Sequence, residues 1–280
     1  MMRQLHTAKK GQTILYLALL AIVVACMVAL SICDKPKDSP LDMHSGGDTL
    51  DIAIEYSPVT YYIYDDTLGG YNYDLLRIMS RNAGRPMKFH PIVTLEKALD
   101  GLETGRYDVV VAQFPMTAVD TSRLAFTQPI YIDQQVLVQR RGSQAIHSQL
   151  DLAGDTVWVV KESPMIQRIA SLSREIGDTI YIHVEELYGP EQLMMMVAAG
   201  DIRYAVVNRS IARAMATKLP NLDRSVAISL SQFQSWMVAK QRQGLCDTLN
   251  QWHNQVKSDT AVYRGLQRRY FGGIFPTLAQ

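Results

Sequence analysis

Residues that could act as nucleophiles or metal ligands are sparse in this sequence. Of its three cysteines, only Cys246 lies beyond residue 33, on a helical pattern with no adjacent base to activate a thiol. We interpret Cys246 as a small buried apolar residue, and expect no disulfide within residues 34–280. The six histidines lack metal-ligand spacing, and the adjacent methionines 194–196 favour core packing over soft-metal binding. The sequence therefore predicts no catalytic site, no metal site and no cofactor.

Polar residues that could contact a ligand stand at the ends of predicted strands or the starts of predicted helices. Gln113 comes directly after the apolar run at residues 109–112. Ser163 precedes a proline and fits a helix N-cap, and Asn208 precedes another predicted helix. Two interpretations stay open for each residue. It either contacts a ligand or forms the local hydrogen bonds that end a strand or cap a helix.

Alternating strand and helix patterns must position these side chains. The first cycle has strands at 50–56, 87–93 and 109–112, with helices around 75–79 and 95–105. The second has strands at 157–160, 180–184 and 204–207, with helices around 165–172, 190–198 and 210–219. A late strand at 233–239 precedes two amphipathic helices. Two such cycles exceed what one sheet usually needs, so the pattern predicts two α/β lobes with a helical tail.

The amino terminus carries an apolar run of 23 uncharged residues, 11–33, preceded by Arg3, Lys9 and Lys10. Such a run is long enough to span a bilayer, and the basic residues before it favour export of the chain after residue 33. Three interpretations stay open: an uncleaved signal anchor, a lipoprotein signal ending at Cys26 or Cys33, and a cleaved signal peptide. Residues 34–49 are predicted to be a linker. We expect the remainder to face the periplasm from a bacterial inner membrane.

The charge balance argues against a nucleic-acid partner. The chain has 28 basic and 27 acidic residues, and three of the basic ones lie in the first 33 residues, which contain no acid. Residues 34–280 are therefore slightly acidic. A body without a basic excess is a poor partner for duplex nucleic acid.

Several segments, in the same order, resemble type II periplasmic solute-binding proteins of solute-binding family 3. Ser57-Pro58-Val59-Thr60-Tyr61-Tyr62 is similar to the opening of the non-catalytic N-terminal domain of membrane-bound lytic murein transglycosylase F. The likeness continues through residues 70–75, 98–114 and 126–142, then through 198–212 and the final YRGLQRRYFGG at 263–273. It covers residues 50–273, which is nearly all of the exported part.

The resemblance implies a two-lobed periplasmic-binding-protein type II fold, preceded by the membrane helix or signal. Lobe 1 would comprise residues 50–140 and 235–275, and lobe 2 residues 141–234. A two-strand hinge would cross near residues 139–142 and 232–236. A small polar ligand would be enclosed between the lobes, in contact with residues of both: Tyr61, Tyr62, Gln113, Lys161, Ser163 and Asn208.

The sequence departs from the family pattern before Phe126. Amino-acid binders of the family usually carry an arginine six residues before this Phe, where it binds the ligand carboxylate. Here that position is Asp120, and Arg123 lies three residues later. Either Arg123 binds the carboxylate or the ligand is not an α-amino acid. We favour the second, because Asp120 would attract a cationic or hydroxyl-rich ligand.

The resemblance therefore implies a tethered solute-binding protein that performs no chemistry. The solute would be an amino acid, a cation or a muropeptide-like molecule, and the partner an inner-membrane permease. The alternative is a regulatory module, similar to that of transglycosylase F, which binds cell-wall fragments or an envelope protein. We expect no enzyme activity, because nothing resembles the Gly-Ala-x-Gly-x-Met-Gln stretch of the lytic domain.

Overall fold

The computed structural model describes residues 49–65, 67–92, 94–113, 122–142 and 145–272. Its strands, in chain order, are β1 (Leu50–Glu55), β2 (Tyr62–Tyr64), β3 (Thr67–Gly69), β4 (Met87–Ile92), β5 (Val109–Val111), β6 (Leu124–Phe126), β7 (Tyr131–Asp133), β8 (Gln135–Arg140), β9 (Thr156–Val160), β10 (Tyr181–Glu185), β11 (Tyr204–Asn208), β12 (Leu222–Asp223), β13 (Gln232–Gln234) and β14 (Met237–Ala239). Its α-helices are α1 (Tyr71–Ala83), α2 (Leu95–Glu103), α3 (Pro164–Ile176), α4 (Pro190–Ala199), α5 (Arg209–Ala214), α6 (Gln243–Ser258) and α7 (Thr260–Phe271).

The first lobe is built on a five-stranded sheet in the order β4-β1-β5-β14-β6. Strand β1 pairs in parallel with β4 and β5, whereas β14 pairs antiparallel with β5 and β6. Strands β5 and β14 are continuous apolar runs, and Ile52, Val109 and Val111 are fully buried. Strands of this kind are buried on both faces, here by α1 and α6 on one side and α2 on the other.

The second lobe contains a five-stranded sheet in the order β10-β9-β11-β8-β12. Strand β9 pairs in parallel with β10 and β11, and β8 runs antiparallel to β11. Helix α3 packs Ile169 and Leu172 on one face of this sheet, while α4 packs Leu193 and Val197 on the other. The two-lobed α/β fold expected from the alternating patterns is confirmed.

The connection between the lobes corrects one expected boundary. The antiparallel pair β7 and β13 joins Asp133 to Gln232 and Tyr131 to Gln234, and β8 already belongs to the second sheet. The first crossing therefore lies at β7, not near residues 139–142, and lobe 1 does not extend to residue 140. The family resemblance placed this crossing at the end of β8, and the apolar residues of β8 give no sign of which sheet the strand joins. The return crossing at β13 lies within the expected range of 232–236.

The chain after β13 packs on the first lobe. Strand β14 enters the first sheet, and α6 comes after it with Cys246, Leu249 and Val256 buried. The Cys246 thiol donates to the carbonyl oxygen of Phe126 at 3.1 Å. Burial raises the pKa of this thiol, which agrees with its interpretation as an inert core residue.

The apolar run at residues 11–33 and its two cysteines, Cys26 and Cys33, lie outside the described residues, as does the linker except for Thr49. Within the part of the chain that is described, no helix is both long enough and apolar enough to cross a membrane.

Candidate ligand-binding site

A cavity of about 490 Å³ lies where the carboxyl ends of the parallel strands of both sheets meet. We call it the interlobe cavity. The first lobe contributes Glu55 at the end of β1, Ile92 at the end of β4 and Gln113 after β5. The second lobe contributes residues at the ends of β9, β10 and β11 and at the starts of α3 and α4. Crevices at such strand ends are the usual ligand sites of open α/β sheets.

Gln113 links the two lobes across the base of this cavity. Its side-chain Nε2 donates to Ser210 Oγ at 3.1 Å, and its Oε1 accepts a long hydrogen bond of 3.4 Å from Asn208 Nδ2. Its backbone N–H donates to Glu55 Oε2 at 2.9 Å. Both Gln113 and Asn208 are buried. The two lobes are thus in direct hydrogen-bonded contact through residues at the ends of their central strands.

Asp133 fixes this contact from the hinge. The Ser210 hydroxyl donates to Asp133 Oδ2, and the backbone N–H groups of Ser210 and Gln134 donate to Oδ1 at 3.2 and 2.8 Å. Burial raises the pKa of the Asp133 carboxyl, and the hydrogen bonds from Ser210 and Gln134 oppose that rise. Asp133 therefore holds the start of α5 against β7, at the position where Ser210 meets Gln113.

Two carboxylates from opposite lobes face the cavity. Burial raises the pKa of Glu55 to about 7; the Gln113 N–H opposes this rise, and the charge of Glu191 adds to it. Burial also raises the pKa of Glu191, the second residue of α4. Sequence reasoning missed both residues. Their positions in the sequence could have indicated both, because Glu55 directly follows the strand residues 50–54 and Glu191 opens a helix, where ligand contacts are expected.

Four of the residues predicted from the sequence line the cavity together: Gln113, Lys161, Ser163 and Asn208. Lys161 Nζ lies 3.3 Å from Glu186 Oε2, and both side chains are exposed. Ser163 and Asn208 occupy N-cap positions, but neither side chain makes a capping hydrogen bond. The Ser163 hydroxyl oxygen is buried and has no partner among the described residues. Local capping therefore does not account for either side chain.

The other predicted contacts lie elsewhere. Tyr61 is 6% exposed and packs edge-to-face on Tyr73, with ring centroids 5.3 Å apart. Tyr62 lies on the β2–β3 hairpin, with its ring against Gly69. The aromatic side chain that this segment presents to the cavity is Tyr56.

Two residues before Phe126, Asp120 and Arg123, bear on the expected contact with a ligand carboxylate. Arg123 is exposed, and its Nη1 lies 2.6 Å from Glu103 Oε1. Asp120 lies outside the described residues. Among the residues that are described, no cluster of three His, Cys, Asp or Glu could hold a metal ion.

Comparison with known proteins agrees with this architecture. A family model of the bacterial extracellular solute-binding proteins, family 3, matches residues 49–273. Membrane-bound lytic murein transglycosylase F of Shewanella pealeana is 22% identical over 221 residues, which are 78% of this chain and 45% of that protein. Membrane-bound lytic murein transglycosylase F 2 of Alkalilimnicola ehrlichii is 25% identical over 262 residues, which are 91% of this chain and 57% of that protein. The chain thus spans about half the length of these curated relatives.

A solved structure shows the same fold. An ancestral arginine-binding protein bound to arginine superimposes with a TM-score of 0.69 and 19% identity, covering 81% of this chain and 99% of that one. The family match spans both sheets, the hinge and the interlobe cavity. This chain therefore belongs to the bacterial extracellular solute-binding proteins, family 3.

Proposed function

We propose that this protein binds a small polar solute in the interlobe cavity, with closure of the two lobes and without chemical conversion. The observation that carries the proposal is the cavity itself, which places Gln113 of one sheet beside Asn208 of the other. Hydrogen-bonding groups from both lobes would be satisfied by one enclosed solute, and enclosure would exclude water from these bonds. The unpartnered Ser163 hydroxyl would be a further contact.

The location forms part of the proposal. The apolar run 11–33, with basic residues before it, would tether the domain to the outer face of a bacterial inner membrane, through the helix or through a lipidated Cys26 or Cys33. A domain held there would deliver its solute to a permease in the same membrane or would act as a sensor.

The experiment is calorimetric titration of the full-length chain, held in detergent, with amino acids, amines, sugars and muropeptides. A ligand that binds only the folded state also raises the unfolding temperature, by several degrees at a hundredfold excess over its Kd. We expect one class of solute to bind, and Asn208→Ala to lower the affinity for that class. An exposed change such as Gln251→Ala, on the outer face of α6, should leave binding unaltered. Binding by no class would contradict the proposal.

A second candidate function has its own support. The curated relatives are lytic transglycosylases of which this chain matches about half, so the domain would regulate cell-wall enzymes by binding murein fragments or an envelope protein. Muropeptides as the only ligands, or a bound envelope protein with no solute, would favour this function over solute delivery.

A further inference from the structure

The charge of the interlobe cavity is strongly one-sided. Its described lining contains four glutamates and one lysine: Glu55, Glu162, Glu186, Glu191 and Lys161. Lys161 is already paired with Glu186 at the exposed rim. Within the described residues, neither Glu55 nor Glu191 belongs to an ion pair. Two partly buried carboxylates, one from each lobe, are thus left for a group that enters the cavity.

Among the described residues, the basic side chains that could bind a carboxylate at this site are already engaged, Lys161 with Glu186 and Arg123 with Glu103. Arg123 is ion-paired with Glu103, and residues 114–121 (FPMTAVDT) contain no lysine, arginine or histidine. Helices α3 and α4 begin at the cavity, but each begins with a proline that lacks an N–H, and a glutamate adjoins each start. An anionic solute would therefore meet four carboxylates in the described lining, where the one lysine, Lys161, is already paired with Glu186.

Aromatic side chains add to the preference for a cation. Tyr56 of the first lobe and Tyr188 of the second both line the cavity, with 49% and 53% of their surfaces exposed. The faces of aromatic rings attract ammonium and guanidinium groups, more strongly when lobe closure removes water.

We propose that the solute is a small organic cation, bearing an amine or guanidinium group and no carboxylate, held between Glu55 and Glu191. This inference rests on the proposed solute-binding function and specifies its substrate class. Glu55 accepts from the Gln113 N–H, so a cation bound at Glu55 would also be linked to the hydrogen bonds that join the lobes.

Matched probes that differ only in the carboxylate test the inference. Agmatine is arginine without its carboxylate, and putrescine is likewise related to ornithine. Calorimetry on the full-length chain should show agmatine or putrescine binding at least about tenfold more tightly than its amino-acid counterpart. Equal or tighter binding of arginine and ornithine overturns the inference.

A wider panel distinguishes failure of the substrate class from failure of the function. If a neutral sugar or an anionic solute binds and both amines do not, the cation inference fails while solute binding stands. If no member of the panel binds, both fail.

Charge-removing variants locate the site. Glu55→Gln and Glu191→Gln should each lower the affinity for the amine that binds by about tenfold or more. Each substitution removes one counter-charge while keeping the side-chain volume. Glu175→Gln is the matched control, since Glu175 is exposed on α3 and pairs with Arg168 outside the cavity. Unaltered affinity in both cavity variants, with circular dichroism showing a native fold, contradicts the assignment.

Discussion

Glu55 places a carboxylate where the fold disfavours its charge. The pKa of Glu55 is raised from 4.5 to about 7, mainly by burial, so the folded state keeps a proton that the unfolded chain releases. As pH rises from about 4.5 to about 7, ionisation costs the folded state free energy, and above about 7 the cost is constant. Because the side chain is only partly buried, we take this cost as about 2 kcal/mol.

The first prediction is that Glu55→Gln stabilises the protein at about pH 8 by about 2 kcal/mol and has little effect at about pH 5. The neutral amide removes the desolvation cost at high pH and imitates the protonated acid at low pH. Urea unfolding at both pH values, with no solute added, measures the difference. A stability gain that is the same at both pH values would show that charge burial is not its cause.

The second prediction concerns the pH dependence of cation binding. Lys161, Glu162, Glu186 and Glu191 face the same cavity as Glu55, and the raised pKa of Glu191 acts in the same direction. Protonation of Glu55 below its pKa of about 7 removes a counter-charge, so agmatine should bind about tenfold more weakly at about pH 6 than at about pH 8. The guanidinium does not titrate in this range. Calorimetry across this pH range measures the change in agmatine affinity, which should be smaller in Glu55→Gln. If the affinity of that variant depends on pH as strongly as before, groups other than Glu55 cause the pH dependence.

At the scale of elements, the turn between β3 and α1 depends on one glycine. Gly70 has φ +125°. A Cβ atom there would overlap the carbonyl oxygen of Thr60 and would lie 2.8 Å from the backbone nitrogen of Tyr61. The Gly70 N–H donates to the Tyr270 hydroxyl at 3.0 Å, and that hydroxyl donates to Asp74 at 2.6 Å. This turn therefore joins α1 to α7 as well as to β3.

The third prediction is that Gly70→Ala destabilises the protein by about 3 kcal/mol or more, because both the backbone conformation and the space exclude a methyl group. Gly265→Ala is the matched control: Gly265 lies inside α7, and a methyl group added there would have no neighbouring atom within 4 Å. The helix should gain about 0.5 to 1 kcal/mol there. Chemical unfolding measures the stability of both variants, and a destabilisation by Gly70→Ala well below about 3 kcal/mol would contradict the strained turn.

Elements with strong periodicity were predictable from the sequence, and short polar ones were not. Strand β5 is a run of valines and α3 opens with Pro164, so both were expected, although α3 continues to Ile176 beyond the expected end at residue 172. The β2–β3 hairpin and β7 have three residues per strand, which is too short for a pattern to appear. The late strand expected at 233–239 is divided into β13 and β14, one in the hinge and one in the sheet.

The candidate site was predictable only where a residue follows a recognisable strand or opens a helix. Gln113 and Asn208 satisfy that rule, and both line the cavity. The family resemblance implies a ligand contact at Tyr61 or Tyr62, yet Tyr56 is the side chain of this segment that faces the cavity. Asp133 and Ser210 meet only after the chain has passed through both lobes, and no local pattern encodes that contact.

At the scale of the whole molecule, side chains of the two lobes hydrogen-bond directly to each other. The hydrogen bonds of Gln113 with Ser210 and Asn208 hold the base of the cleft together. Each neutral hydrogen bond contributes about 1 kcal/mol, so the pair would favour the closed arrangement by about 2 kcal/mol. A solute that binds the closed form benefits from that bias, because less of its binding energy is spent on closure.

The fourth prediction is that Gln113→Ala combined with Asn208→Ala opens the cleft when no solute is added. Spin labels at Lys97→Cys in α2 and Arg174→Cys in α3 occupy exposed positions in different lobes, and Cys26 and Cys33 would be replaced by alanine. Cys246 is buried and needs no replacement.

The distance distribution measured by pulsed electron spin resonance should shift to longer values in the double variant, whereas Gln251→Ala, away from the cleft, should not change it. A saturating solute should restore the short distance only in part, because the variant has lost contacts that the closed state uses. An unchanged distribution would mean that the hinge, through Asp133 and the β7–β13 pair, sets the closure of the lobes by itself.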